Sequence, residues 1–137
     1  MPEIEVMSPP VPKARPRFGR GRVFTPRGTE LAEHRIRQVW IEAGYGPQPG
    51  ALYVEVLARM ARPLKHFGRR GALLPSAPRW PAVKPDVDNL GKTVMDALKG
   101  AAFADDGQIV RLYLAKVYVR EGESPSWKIG IHVMQED

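Results

Sequence analysis

Three observations predict an α+β fold for this 137-residue chain, a small mixed β-sheet with two main helices packed on it. Apolar residues alternate in four short stretches, the period of a half-buried strand. They recur at helical spacing in two longer stretches, the period of an amphipathic helix. The two kinds of stretch interleave as strand, hairpin, helix, strand, helix, strand, strand, so they share one core. With 43% apolar and 26% charged residues at this length, one folded domain spanning 1–137 is expected.

The first strand is expected over residues 3–7, where Ile4 and Val6 alternate with Glu3 and Glu5. Pro9, Pro10, Pro12 and Pro16 then forbid helix and favour an extended path. Gly19 and Gly21 mark a tight turn before Arg22-Val-Phe-Thr25, a small hairpin. A helix opens at Pro26 or Thr29 and runs to about Ala43, with Leu31, Ile36, Val39 and Trp40 on one face and Gly44 at its end. After the linker Pro47-Gln-Pro-Gly50, Leu52, Val54, Val56 and Ala58 alternate with Tyr53, Glu55 and Leu57 in a second strand. Residues 61–85 show no period, and so long a basic loop in a compact domain is functional or mobile. The second helix is expected from Asp88, as its N-cap, to about Ala101, with Leu90, Val94, Ala97, Leu98 and Ala101 as its buried stripe. Strands over 108–120 and 127–134 follow, joined by a turn at 122–126, with Ile129, Ile131 and Val133 on one side. Trp40 and Trp127 are assigned to the core.

Charge narrows the partner. The net charge of +6 favours a polyanion, and the absence of cysteine excludes disulfides, zinc–thiolate sites and thiol catalysis. No run approaches the roughly 18 apolar residues of a membrane span, and the N-terminus carries no signal-peptide pattern, so a cytoplasmic location is the expectation. Against this basic background, Asp86, Asp88, Asp96, Asp105 and Asp106 fall within 21 residues, while positions 56 to 85 hold no acidic residue. Carboxylates gathered within about 4 Å repel by roughly 4 kcal/mol per pair at an effective dielectric near 20, so such a cluster recruits a cation or a proton. Hard oxygen ligands suit Mg²⁺ or Mn²⁺, and a divalent ion beside a phosphate-binding surface is the equipment of a metal-dependent nuclease.

Asp86 and Asp88 straddle the start of the second helix, and Asp88, Lys92 and Asp96 fall at successive i, i+4 positions on one helical face. Asp105 and Asp106 lie at the turn into the next strand. If that strand returns beside the helix N-terminus, Asp106 faces the Asp86/Asp88 pair. The plain alternatives are that Asp88 is only a cap, that Asp106-Gly107 is only a turn, and that Asp96 pairs with Lys92 or Lys99. An EF-hand is excluded, because the ligand spacing after Asp86 is absent.

The pattern Asp86-Val-Asp88-Asn89-Leu90, Lys92, Asp96-Ala-Leu98 and Phe103-Ala-Asp105-Asp106-Gly-Gln108 resembles the RusA-like Holliday-junction resolvases, and Pro9-Pro-x-Pro12-Lys-x-Arg-Pro-Arg17 is similar to that family's opening. The resemblance implies that Asp86, Asp88 and Asp106 bind Mg²⁺ as catalytic carboxylates and that Lys92 is the essential lysine beside them. It also implies a homodimer that makes paired symmetric nicks in four-way DNA junctions during recombination and repair. The loop at 61–85 and the arginine-rich N-terminal segment depart from the family's pattern.

Lys13, Arg15, Arg17, Arg20 and Arg22 form the densest positive segment, with Arg69 and Arg70 as a second group, and both are expected to hold DNA phosphates. His66 is a further candidate phosphate contact. Trp80 either stacks on an unpaired base or anchors the loop. Two rivals use the same residues differently: a nuclease for flaps or forks, and a catalytically silent protein that binds branched DNA.

Overall fold

The computed structural model describes residues 2–15, 17–19, 21–24 and 27–136, with the backbone alone described for 17–19 and 22–24. Strand β1 (Glu3–Val6) is followed by the hairpin strands β2 (Arg17–Gly19) and β3 (Arg22–Phe24), helix α1 (Arg27–Glu42) and strand β4 (Leu52–Met60). After the loop come helix α2 (Val87–Leu98) and strands β5 (Ile109–Tyr118) and β6 (Ser126–Val133). The main sheet has the order β1-β6-β4-β5, with β4 parallel to β5 and antiparallel to β6, and β6 antiparallel to β1. The expected α+β class, mixed sheet and two helices are all present.

Alternation builds the core. Leu52, Val54, Val56 and Ala58 of β4 and Ile129 and Ile131 of β6 are buried, and they face Ile36 and Trp40 of α1 and Leu90, Val94, Ala97 and Leu98 of α2. The expected stripe of α2 is therefore correct, and both Trp40 and Trp127 are fully buried. Two expected core positions are not: Leu31 is 54% exposed at the start of α1, where Thr29 is buried instead, and Val133 lies exposed at the end of β6. Thr29 is drawn inward because its hydroxyl accepts from the Ala14 N–H and donates to the Pro12 carbonyl.

That last contact is part of a lashing. The Val11 carbonyl accepts from the Thr93 hydroxyl, the Lys13 N–H donates to the Asn89 carbonyl, and the Lys13 ammonium meets Glu33 at 2.6 Å and Asp96 at 2.9 Å. The proline-rich segment, unable to form its own helix, thus ties α1 to α2. Arg37 adds a second tie by donating to the Ala97 carbonyl at the end of α2.

A parallel neighbour pair requires a crossover, and α2 is that crossover. Its end lies at the start of the strands, since Gln108 donates to the Gln48 and Gly50 carbonyls just before β4. Its start lies at their other end, where the Lys116 ammonium near the end of β5 donates to the Val83 and Pro85 carbonyls. Helix α2 comes very close to β5: a Cβ on Gly91 would sit 2.7 Å and 2.8 Å from the two methyls of Leu114.

Candidate active site

The N-cap of helix α2 is two residues earlier than the sequence suggests. Asp86 is at the N-cap and Asp88 in the first turn, and the Asp86 side chain makes no capping bond. It turns instead to Lys84, 2.9 Å away, whose hydrogen bond holds the Asp86 carboxyl below its usual range, with the Lys84 and Lys116 charges acting in the same direction. The polar residues of α2 form one exposed stripe of Asp88, Lys92 and Asp96, as the i, i+4 spacing predicts. Among the described residues, neither Asp88 nor Lys92 has an ion-pair partner, so the plain reading of Lys92 as half of a surface pair fails. Asp96 does pair, with Lys13 rather than with Lys92 or Lys99.

Asp106 lies elsewhere. Its carboxylate is 3.6 Å from the Lys99 ammonium, just past the far end of α2. Twelve helical residues separate that end from Asp86, about 18 Å at 1.5 Å per residue. Among the described residues, no group of three His, Cys, Asp or Glu side chains is placed to hold a metal ion. The expected meeting of Asp106 with Asp86 and Asp88 therefore does not occur within one chain. The reason is topological: β5 does return along α2, but antiparallel to it, so the turn before β5 belongs to the helix C-terminus.

The corner that carries Asp106 is firmly built. Asp105 accepts from the Gly107 N–H at 3.4 Å, and the Gln108 side chain accepts from the Ala104 and Asp105 N–H groups. Asp105 and Gln108 thus form a capping box, and the Asp106 carboxylate stays half-exposed beside the Lys99 ammonium. In the motif Asp105-Asp106-Gly-Gln108, two residues shape the turn and one presents its charge.

The family model described as Endodeoxyribonuclease RusA matches residues 8–132. The chain belongs to the RusA endodeoxyribonuclease family. The chain is also similar to the uncharacterized protein YqaN of Bacillus subtilis, at 49% identity over 41 residues, which is 30% of this chain and 29% of that protein. Asp86, Asp88 and Lys92 are exposed at the N-cap and in the first turns of α2. Carboxylate oxygens there fit Mg²⁺, which is commonly held by one or two carboxylates together with water and substrate phosphate.

The basic candidates divide. Arg69 and Arg70 are exposed in the loop, and Arg15 is exposed on the N-terminal segment. Lys13 is held between two carboxylates and serves the helix lashing. Arg20 lies outside the described residues, as do the side chains of Arg17 and Arg22. His66 is buried against Tyr118, their rings edge to face at 5.3 Å. Burial, with Arg62 and Lys65 nearby, pushes its pKa down, so it is neutral and offers no charge to a phosphate. Lys84 and Lys116 border the site without belonging to any sequence motif. A lysine on the helix-facing side of an otherwise apolar strand, in register with Leu112 and Leu114, is the one signal of Lys116 that the sequence offers. No helix among the described residues is long and apolar enough to cross a membrane.

Proposed function

We propose that this chain is a Mg²⁺-dependent endonuclease that resolves Holliday junctions by paired nicks, acting as a homodimer in recombination and repair. The observation that carries the reading is the exposed Asp86 and Asp88 with Lys92, which has no ion-pair partner among the described residues, in the first turns of α2 of a member of a DNA endonuclease family. A protein that only bound DNA would gain nothing from carboxylates on its DNA face, since they repel phosphates.

Asp86 and Asp88 would hold the ion, which when bound draws charge from the phosphate and eases ionisation of the attacking water. Lys84 favours the ionised Asp86 that such binding needs. Lys92, whose ammonium meets no carboxylate among the described residues, stabilises the added negative charge at phosphorus in the transition state.

The homodimer reading has support beyond the need for two cuts. Strand β5 is the edge of the sheet, ten residues long, with Val110, Leu112 and Tyr113 exposed. Such an edge is a template for a further strand. If two copies paired β5 antiparallel, the start of one β5 would lie beside the end of the other. Asp106 would then approach the Asp86 and Asp88 of the second copy, completing a three-carboxylate site that the described residues of one chain do not form.

A labelled four-way junction incubated with the protein, with and without Mg²⁺, tests the reading. Paired symmetric nicks that require Mg²⁺ are expected, and Asp88→Asn should abolish them while junction binding persists. Asymmetric cutting confined to flaps would replace junction resolution as the activity. Binding without any cleavage by the unaltered chain would reject the nuclease reading.

A further inference from the structure

At the end of the sheet where α2 begins, the 61–85 loop folds beside the ends of β4 and β5 and the β5–β6 turn, and they enclose an open groove of about 1010 Å³. The loop is well anchored. The Arg62 guanidinium lies 4.4 Å from the Tyr118 ring centroid and donates to the Pro78 carbonyl at 2.7 Å, and Phe67 bridges to Leu73. Pro81 is buried, whereas Trp80 beside it is 58% exposed and lines the groove. Trp80 therefore does not anchor the loop. Arg79 steadies its ring from 5.1 Å.

Charge and shape agree on an occupant. Arg59, Arg62, Arg79 and Arg120 line the groove against Glu121 and Glu123, and they flank Trp80 and the exposed Phe67. Arginines beside open aromatic faces match a chain of alternating phosphates and bases. The volume is at the upper end of the roughly 300–1,000 Å³ of small-molecule sites, room for more than one nucleotide. Duplex DNA cannot use these rings, because its bases already stack on one another. Trp80 is six residues before Asp86, at most about 20 Å of chain.

We infer that this groove seats unpaired nucleotides, so that the branched DNA engaged by this chain carries a single-stranded segment beside the branch point. The inference rests on the DNA-nuclease reading for its biological sense, but its test does not. Binding is measured in EDTA, where no cleavage occurs, by the anisotropy of a labelled oligo(dT) of about ten residues and of a blunt duplex of the same length.

The single strand should bind more tightly than the duplex and quench tryptophan emission, because Trp40 and Trp127 are fully buried and Trp80 is not. Trp80→Ala should weaken oligo(dT) binding about tenfold or more, Trp80→Phe should retain most of it, and Arg120→Glu should also weaken it. Unchanged affinity in both Trp80→Ala and Arg120→Glu, or a duplex that binds and quenches as well as the single strand, would overturn the inference. A loss in Trp80→Ala accompanied by a lowered melting temperature is resolved by Arg120→Glu, whose side chain reaches no packed core.

Discussion

Replacing Lys13 by Met isolates the tie between the N-terminal segment and the two helices. Lys13 and Glu33 are 19% and 16% exposed at their side chains, whereas Asp96 is 49% exposed. Loss of the charged hydrogen bond to Glu33 costs about 1.5–2.5 kcal/mol, and the half-exposed Asp96 contact adds little after solvent screening. For 137 residues the unfolding entropy is about 290 cal/mol/K, so the melting temperature should fall by about 5–9 °C. The pH dependence has a definite sign. Burial works against the Lys13 charge, but the Glu33 and Asp96 hydrogen bonds outweigh it and raise its pKa above the ordinary 10.5. A raised folded-state pKa gives a contribution fully present below the unfolded value and lost as pH rises through the folded one. The gap between the two proteins should therefore hold from neutral pH to about pH 9 and narrow above about pH 10.5. Thermal unfolding followed by circular dichroism measures both effects. A fall under about 2 °C, or the same fall when Lys13→Met is made in a Glu33→Gln background, would refute the reasoning.

Two further outcomes follow from the same geometry. Gly91→Ala should gain about 1 kcal/mol of helix propensity but lose about 1–3 kcal/mol to crowding against Leu114, a net destabilisation in chemical unfolding; in a Leu114→Ala background the same change should stabilise, and failure of that sign change would count against close α2–β5 approach as the role of the glycine. Reversing Arg69 and Arg70 to Glu should weaken DNA binding alike for all sequences and reduce the slope of log K against log salt by about 0.9 for each phosphate no longer neutralised, read by anisotropy over a salt series. A sequence-dependent loss would mean that the loop reads bases.

Periodicity carries most of the fold. The alternation in β4 and the stripe of α2 are legible because a single buried face dictates them, and the hairpin is legible from its glycines. Leu31 departs from expectation because helical spacing identifies a face but not where that face leaves the core at the first turn. The acid cluster is legible as chemistry but not as geometry. The sequence puts Asp106 in the turn after the helix and beside Asp86 and Asp88 only if the next strand returns to the helix start, whereas the parallel pairing of β4 with β5, which no local pattern reveals, keeps it at the helix end. Lys13 reads as a phosphate contact because its carboxylate partners, Glu33 and Asp96, are remote in sequence. The groove is invisible for the same reason: Arg59, Arg62, Trp80 and Arg120 meet only once the loop is folded against the strand ends.

Mixed dimers put the divided site to the test. Asp88→Asn and Asp106→Asn chains carrying different tags would be co-expressed, the doubly tagged dimer purified, and its nicking of a four-way junction in Mg²⁺ compared with each pure variant. If the carboxylates meet across two copies, the mixed dimer retains one intact set and recovers nicking that both pure variants lack. A mixed dimer as inactive as either parent, or a pure Asp106→Asn protein that still cuts, would contradict that arrangement.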